Sequence, residues 1–244
     1  MSRRVPLRAR FHSLAGQIQE RIARSTGLEG EAGGAVAESA RELGAAARRP
    51  WQVRATRQSV VAATVRGLDR MAGVVISAPA PIDDLDTLDQ YASRTRHGVT
   101  AALAAVQATL AAGTVGTEGA GGPPSVVLDA GAAQVASVLT GLAEWYFLGS
   151  FASRLMRRKG IAVDPDHLRR IVNAAMLSRG ETVDPRHLEP RAEGRLILRW
   201  VGRGVLDIVP LVSGFPTQRV RRAGERLQRT DLAAITAGLR ITTA

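Results

Sequence analysis

"SVVLDAGAAQVASVLTGLAEWYFLGSFASRL", residues Ser125 to Leu155, is almost continuously apolar, and its reading decides the fold. A membrane-spanning helix needs about 20 predominantly apolar residues with few charges. This run carries Asp129, Gln134 and Glu144. A carboxylate at the centre of a bilayer costs on the order of 2.5–3.5 kcal/mol even on the lenient insertion scale. The run is therefore expected to be a buried core helix, or one partly inserted at an interface, rather than a span. It closes in a basic cluster of Arg154, Arg157, Arg158 and Lys159.

The same juxtaposition recurs further along. A second apolar run, Gly204 to Pro216, is shorter and carries Asp207 and Pro210. It leads into "TQRVRRAGERLQR", where Arg219, Arg222, Arg226 and Arg229 step by three, four and three, one face of a helix. Just upstream, Arg195, Arg199 and Arg203 step by four. Such stripes are ordinarily solvated faces. Apolar runs bounded by arginine on their C-terminal side also suit a protein that sits shallowly in an anionic interface.

Composition bears on the partner. The chain has 244 residues and 45% apolar composition, enough for a real core. Aromatics are only 4%, which favours packing through small residues. With no cysteine, disulfides and thiolate metal sites are excluded, in keeping with a reducing compartment. The net charge is +11, and Lys159 is the only lysine. A GC-rich genome would account for arginine replacing lysine; a preference for phosphate would too, because the guanidinium fork matches phosphate oxygens. Codon usage does not explain the net charge, which implies an anionic partner, lipid surface or nucleic acid, or serves solubility alone.

The start, "MSRRVPLRARFHSLAG", is basic but has no long apolar segment behind it, so a cytoplasmic chain is expected. Leu7, Phe11, Leu14, Ile18 and Ile22 recur at helical steps, with Arg8, Arg10, Arg21 and Arg24 mostly off that stripe. This is either a helix docked on its own protein or a surface-seeking one, in which Phe11, Leu14 and Ile18 would insert. "GLEGEAGGAVAE" follows, and its four glycines predict a flexible stretch completing residues 1–50.

Residues 51–112 read as a helical hairpin. Val61, Val65, Leu68, Ala72 and Val75 step by four and three, and "APAP", Ala78 to Pro81, ends that helix. Asp83 and Asp84 are placed to cap the next, whose stripe is Leu85, Leu88, Ala92, Thr95, Val99, Ala102, Val106 and Leu110. Two helices of matched period joined by a short turn are expected to pack antiparallel. The Gly/Pro-rich residues 113–124 lack a Gly-Lys-Ser/Thr sequence and follow a helix rather than a strand, so they read as a linker and not a nucleotide loop.

The sequence Val-Asp-Pro-x-His-Leu occurs twice, at Val163–Leu168 and Val183–Leu188. Two Asp and two His could ligate a metal, but Asp-Pro before a periodic run is a helix start. Asp caps, and Pro at the first helical position lacks an N–H that would be unpaired anyway. Two helix joints are therefore expected, with no metal or cofactor. His12 and His97 build no triad, and no nucleophile, zinc-protease or kinase motif occurs; the chain reads as non-enzymatic.

"VVLDAGAAQVASVLTGLAEW", then "KGIAVDPDHLRRIVNAAML", then "GRGVLDIVPLVSGFPTQRVRRAGERL" form an ordered series: an Ala/Leu-rich apolar helix, a Gly-containing turn closing in Asp-Pro, and a small-residue Pro-containing segment before an Arg-bearing helix. In this order residues 125–229 resemble the EcsC family. The resemblance implies an all-α, membrane-associated, non-enzymatic protein, some members of the family being linked to transporter operons or membrane remodelling. It carries no catalytic residues. The expectation is thus all-α: a basic N-terminal helix and flexible stretch (1–50), a hairpin (51–112), a linker (113–124) and an EcsC-like helical domain (125–244). The chain would lie peripherally at the inner membrane, on an anionic lipid surface or a membrane-protein partner, through Arg154, Arg157, Arg158, Lys159, Arg195, Arg199, Arg203, Arg219, Arg222, Arg226 and Arg229. The alternative is a basic helical nucleic-acid-binding protein, for which no groove-reading motif is present.

Overall fold

The computed structural model describes Arg24 and residues 26–46, 54–114, 124–206 and 217–243. Among these the chain is all-α, with eight α-helices, one turn of 3-10 helix and no strand. The helices are α1 (Gly30–Ala46), α2 (Arg54–Ser77), α3 (Leu85–Thr114), α4 (Pro124–Arg158), α5 (Pro165–Leu177), α6 (Arg191–Leu206), α7 (Thr217–Arg229) and α8 (Leu232–Thr243).

A helix that is apolar on every side is satisfied only by being surrounded, and α4 is. Every residue from Gly141 to Ser153 is buried, and α1, α2, α3, α5, α6 and α7 all pack on it. The stretch Gln134–Arg158 has the length and composition to cross a membrane, yet 89% of its apolar window is buried inside the protein. It is the core helix that its carboxylate implied. Glu144, 4% exposed, meets Arg96 of α3 in a hydrogen-bonded ion pair. The Trp145 indole N–H donates to Asn173 Oδ1 of α5 at 2.8 Å. Tyr146 donates its hydroxyl to Ala78 O at 2.7 Å, and Ser150 accepts from Ala80 N at 3.0 Å. Polar side chains of α4 thus satisfy the backbone of the proline turn between α2 and α3, which has no helix of its own to do so.

Two expectations about the N-terminal half differ from the structure. The glycine-rich stretch is helical from Gly30. Gly27 and Gly30 lie at positive φ just before or at the helix start, and a Cβ at Gly33 would sit 2.5 Å from Leu28 O. Here the glycines shape the entry of α1, whose Ala32, Ala35, Val36, Ala40 and Leu43 are buried. Second, α2 and α3 do not form a closely packed hairpin: α2 lies mainly against α1 and α4, and α3 against α4 and α7. The stripes on α2 and α3 are buried as expected at Leu68, Ala72, Val75, Leu88, Ala92, Thr95 and Val99, but α4 is their common cover. A single buried cluster runs from Ala32 to Leu239, so the halves on either side of residues 113–124 share one core.

Small residues set the helix spacing. An ideal Cβ at Gly141 of α4 would lie 2.5 Å from the Trp200 ring of α6, and one at Gly224 of α7 would lie 2.7 Å from Leu85. The helix joints obey the cap chemistry. Asp84 Oδ1 accepts from Thr87 N at 2.7 Å, and Asp164 Oδ1 from His167 N at 3.0 Å, with Pro165 opening α5. Asp184 accepts from Arg186 N at 2.9 Å, but it heads only the 3-10 turn Pro185–His187. The second repeat is therefore a tight corner before α6 and not a full helix start.

Candidate functional site

The expected basic residues separate into two groups. The first is absorbed by the turn between α2 and α3. Arg154 and Arg158 both pair with Asp83, Arg158 at 2.8 Å, and Arg157 donates to Ile76 O at 3.2 Å, at the carbonyl end of α2. Asp83, expected as a cap, instead anchors the C-terminal end of α4. Lys159 is exposed.

The second group converges around the C-terminal end of α5. A helix C-terminus leaves its last carbonyls without intrahelical donors and carries partial negative charge, so guanidinium groups are favourable there. Arg226 of α7 donates to Ala175 O at 3.1 Å and to Gly180 O at 2.7 Å. Arg199 of α6 lies 3.5 Å from Met176 O. Burial lowers the pKa of Arg199, and the like charges of Arg179 and Arg219 lower it further; burial, then Arg222, do the same to Arg226, with Glu225 opposing. Arginine stays protonated through such shifts. Arg199 and Arg226 meet adjacent carbonyls of α5, with Arg179 and Arg219 near the first and Arg222 near the second, so guanidinium groups from the α5–α6 connection, α6 and α7 gather there. Acids there are few. Arg229 pairs with Glu181 at 3.4 Å, Arg222 donates only to Gln218 at 2.7 Å, and Arg179 and Arg219 are exposed without an ion-pair partner among the described residues.

Arg195 is exposed on α6; the side chain of Arg203 and the whole of Phe11, Leu14 and Ile18 lie outside the described residues. Two features of this region were not read from the sequence. Arg179 sits in a connection, where no periodicity marks it. Leu198, 58% exposed, is the one large apolar side chain exposed among the described residues. Its phase gives it away: Leu196, Ile197, Trp200 and Val201 form the buried face of α6, while Leu198 shares a stripe with exposed Arg191, Arg195 and Gly202.

The other polar constellation is a clamp. Arg169 of α5 pairs with Asp69 of α2 and, at 3.3 Å, with Glu193 of α6; Asn173 donates to the same Glu193 at 3.2 Å and accepts from Trp145. Burial raises the Glu193 pKa against the pull of Arg169. These groups saturate one another across four helices. His167 lies 3.9 Å from Asp164, and among the described residues no three His, Asp or Glu side chains gather as a metal would require.

No family model matches the chain, and neither a curated protein nor a solved structure does. The functional reading therefore stands on the site itself.

Proposed function

We propose that the chain is a non-enzymatic cytoplasmic protein that associates peripherally with an anionic membrane surface at the inner membrane. The observation that carries this reading is the convergence of Arg179, Arg199, Arg219, Arg222 and Arg226, from three elements, around the C-terminal end of α5. Like charges are not gathered without an opposing partner, because each raises the free energy of the others. The carbonyls of α5 and Gly180 engage Arg199 and Arg226, and the exposed Arg179 and Arg219 face outward for an anion. A basic side chain near an anionic leaflet contributes about 1 kcal/mol, so a handful suffices for reversible attachment. On the order of its segments, the C-terminal half, residues 125–229, is further proposed to be EcsC-like in character. Fractionation of cells expressing the chain tests it. The protein is expected in the membrane pellet at low ionic strength and in the supernatant after a high-salt wash. Recovery in the soluble fraction at low ionic strength, or release from the pellet by nuclease instead of salt, overturns it.

A further inference from the structure

Resting on that reading, we infer that the outer face of α6 is the surface that meets the bilayer, with Leu198 entering the headgroup–acyl boundary. The exposed stripe Arg191, Arg195, Leu198 and Gly202 runs along one side of the helix. A lone exposed leucine is ordinary on a protein surface. This one is the single large apolar side chain exposed among the described residues, and it falls on the helix that also supplies Arg199 to the cluster at the end of α5. The only acid on α6, Glu193, is held away from the stripe by Arg169 and Asn173. Gly194 and Gly202 have open space where a side chain would be, so Leu198 is not walled in along its helix.

Charge complementarity selects the occupant. A protein partner seats itself on a patch of several apolar side chains with charge excluded from the centre. One leucine preceded along its stripe by Arg191 and Arg195 lacks such a centre. It matches the pattern of a shallowly seated interfacial helix: apolar residue inward, cations at phosphate level beside it. This insertion point orients the molecule with α6 and the C-terminal end of α5 toward the membrane.

The chain has no cysteine, so Leu198→Cys provides a unique attachment site for an environment-sensitive fluorophore. Gly34→Cys on α1, exposed and with nothing within 4 Å of its Cβ, is the control. The full chain is mixed with vesicles of zwitterionic phospholipid alone or with added anionic phospholipid, and sedimentation is read in parallel. The fluorophore at position 198 is expected to shift to the blue on anionic vesicles only, and the one at position 34 to stay unchanged. Unlabelled Leu198→Ser should keep the melting temperature of the parent and bind anionic vesicles about tenfold more weakly, the effect of losing part of one leucine's burial. Sedimentation on anionic vesicles with no shift at position 198 and full binding by Leu198→Ser overturns this orientation and leaves peripheral attachment standing. Absence of sedimentation on anionic vesicles overturns both.

Discussion

Gly141→Ala tests the packing at the centre of the molecule. An added Cβ would meet three Trp200 ring atoms at 2.5, 2.6 and 2.8 Å. Real Cβ contacts do not occur at such distances, so the indole or one of the helices must move. Trp200 is 1% exposed and its carbonyl accepts from Ser137 at 2.6 Å, which ties ring and backbone to α4 together. Overpacking a filled core costs about 1–3 kcal/mol, and replacing a helical glycine with alanine returns about 1 kcal/mol of backbone entropy. With the ring pinned, the upper part of the range applies, leaving a net destabilisation of about 1–2 kcal/mol. For a chain of this size that lowers the melting temperature by about 2–8 °C. Gly194→Ala, in the interior of α6 with nothing within 4 Å of its Cβ, is the matched control and should raise stability by about 0.5–1 kcal/mol. Thermal melts by circular dichroism separate the two. If Gly141→Ala melts at or above the parent temperature, α4 and α6 do not approach at this point, and the placement of α6 around the core helix is wrong.

Asp164→Ala should destabilise by about 0.5–2 kcal/mol through the lost cap of α5, and Asp184→Ala by less, because it heads a single 3-10 turn. Neither zinc nor a chelator should move the melting temperature of the parent, and a chelator-induced fall of many degrees would revive a metal at the two Asp-Pro-x-His segments. Because burial raises the folded pKa of Glu193 above its usual value of 4.5, the folded state holds that proton more tightly than the unfolded chain. Its contribution is therefore fully present below about pH 4.5 and is lost as pH rises through the raised value. Denaturant melts from pH 4 upward should show Glu193→Gln losing less stability over this interval than the parent, and identical slopes would refute the assignment.

Features set by neighbours in the chain were legible in the sequence. Asp84 and Asp164 cap because the cap bond reaches only two or three residues on. The buried faces of α2 and α3 follow from period alone. What covers a face is a long-range fact, and matched stripes with a short turn suggested a hairpin where α4 in fact stands as the common cover. The run from Gly141 to Ser153, apolar but for Glu144, Ser150 and Ser153, is the signal for that central position. In α1, glycine count outweighed the buried positions Ala32, Ala35, Val36, Ser39, Ala40 and Leu43, which keep helical spacing. At the site, the stripe Arg219, Arg222, Arg226 and Arg229 was visible, but the fate of each member was not. Arg226 reaches Ala175 O of α5 and Gly180 O beyond it, Arg229 reaches Glu181, and Arg219 remains outward, because each depends on what the fold brings alongside. Arg154 and Arg158 read as surface cations for the same reason, although Asp83, distant in sequence, pairs with both.

The central claim is attachment through the arginine cluster, and a binding comparison on purified protein tests it most directly. Arg179, Arg219 and Arg222 are replaced together with Gln, leaving Arg199 and Arg226 to hold the α5 carbonyls so that folding is preserved. Parent and variant are sedimented with neutral and anionic vesicles, and duplex DNA is run in a gel shift in the same buffer. The parent should sediment with anionic vesicles and not with neutral ones. With about 1 kcal/mol per basic residue, the triple variant should bind about a hundredfold more weakly at an unchanged melting temperature. Tight duplex binding without sedimentation on anionic vesicles, or a triple variant that binds vesicles as the parent does, would contradict the account.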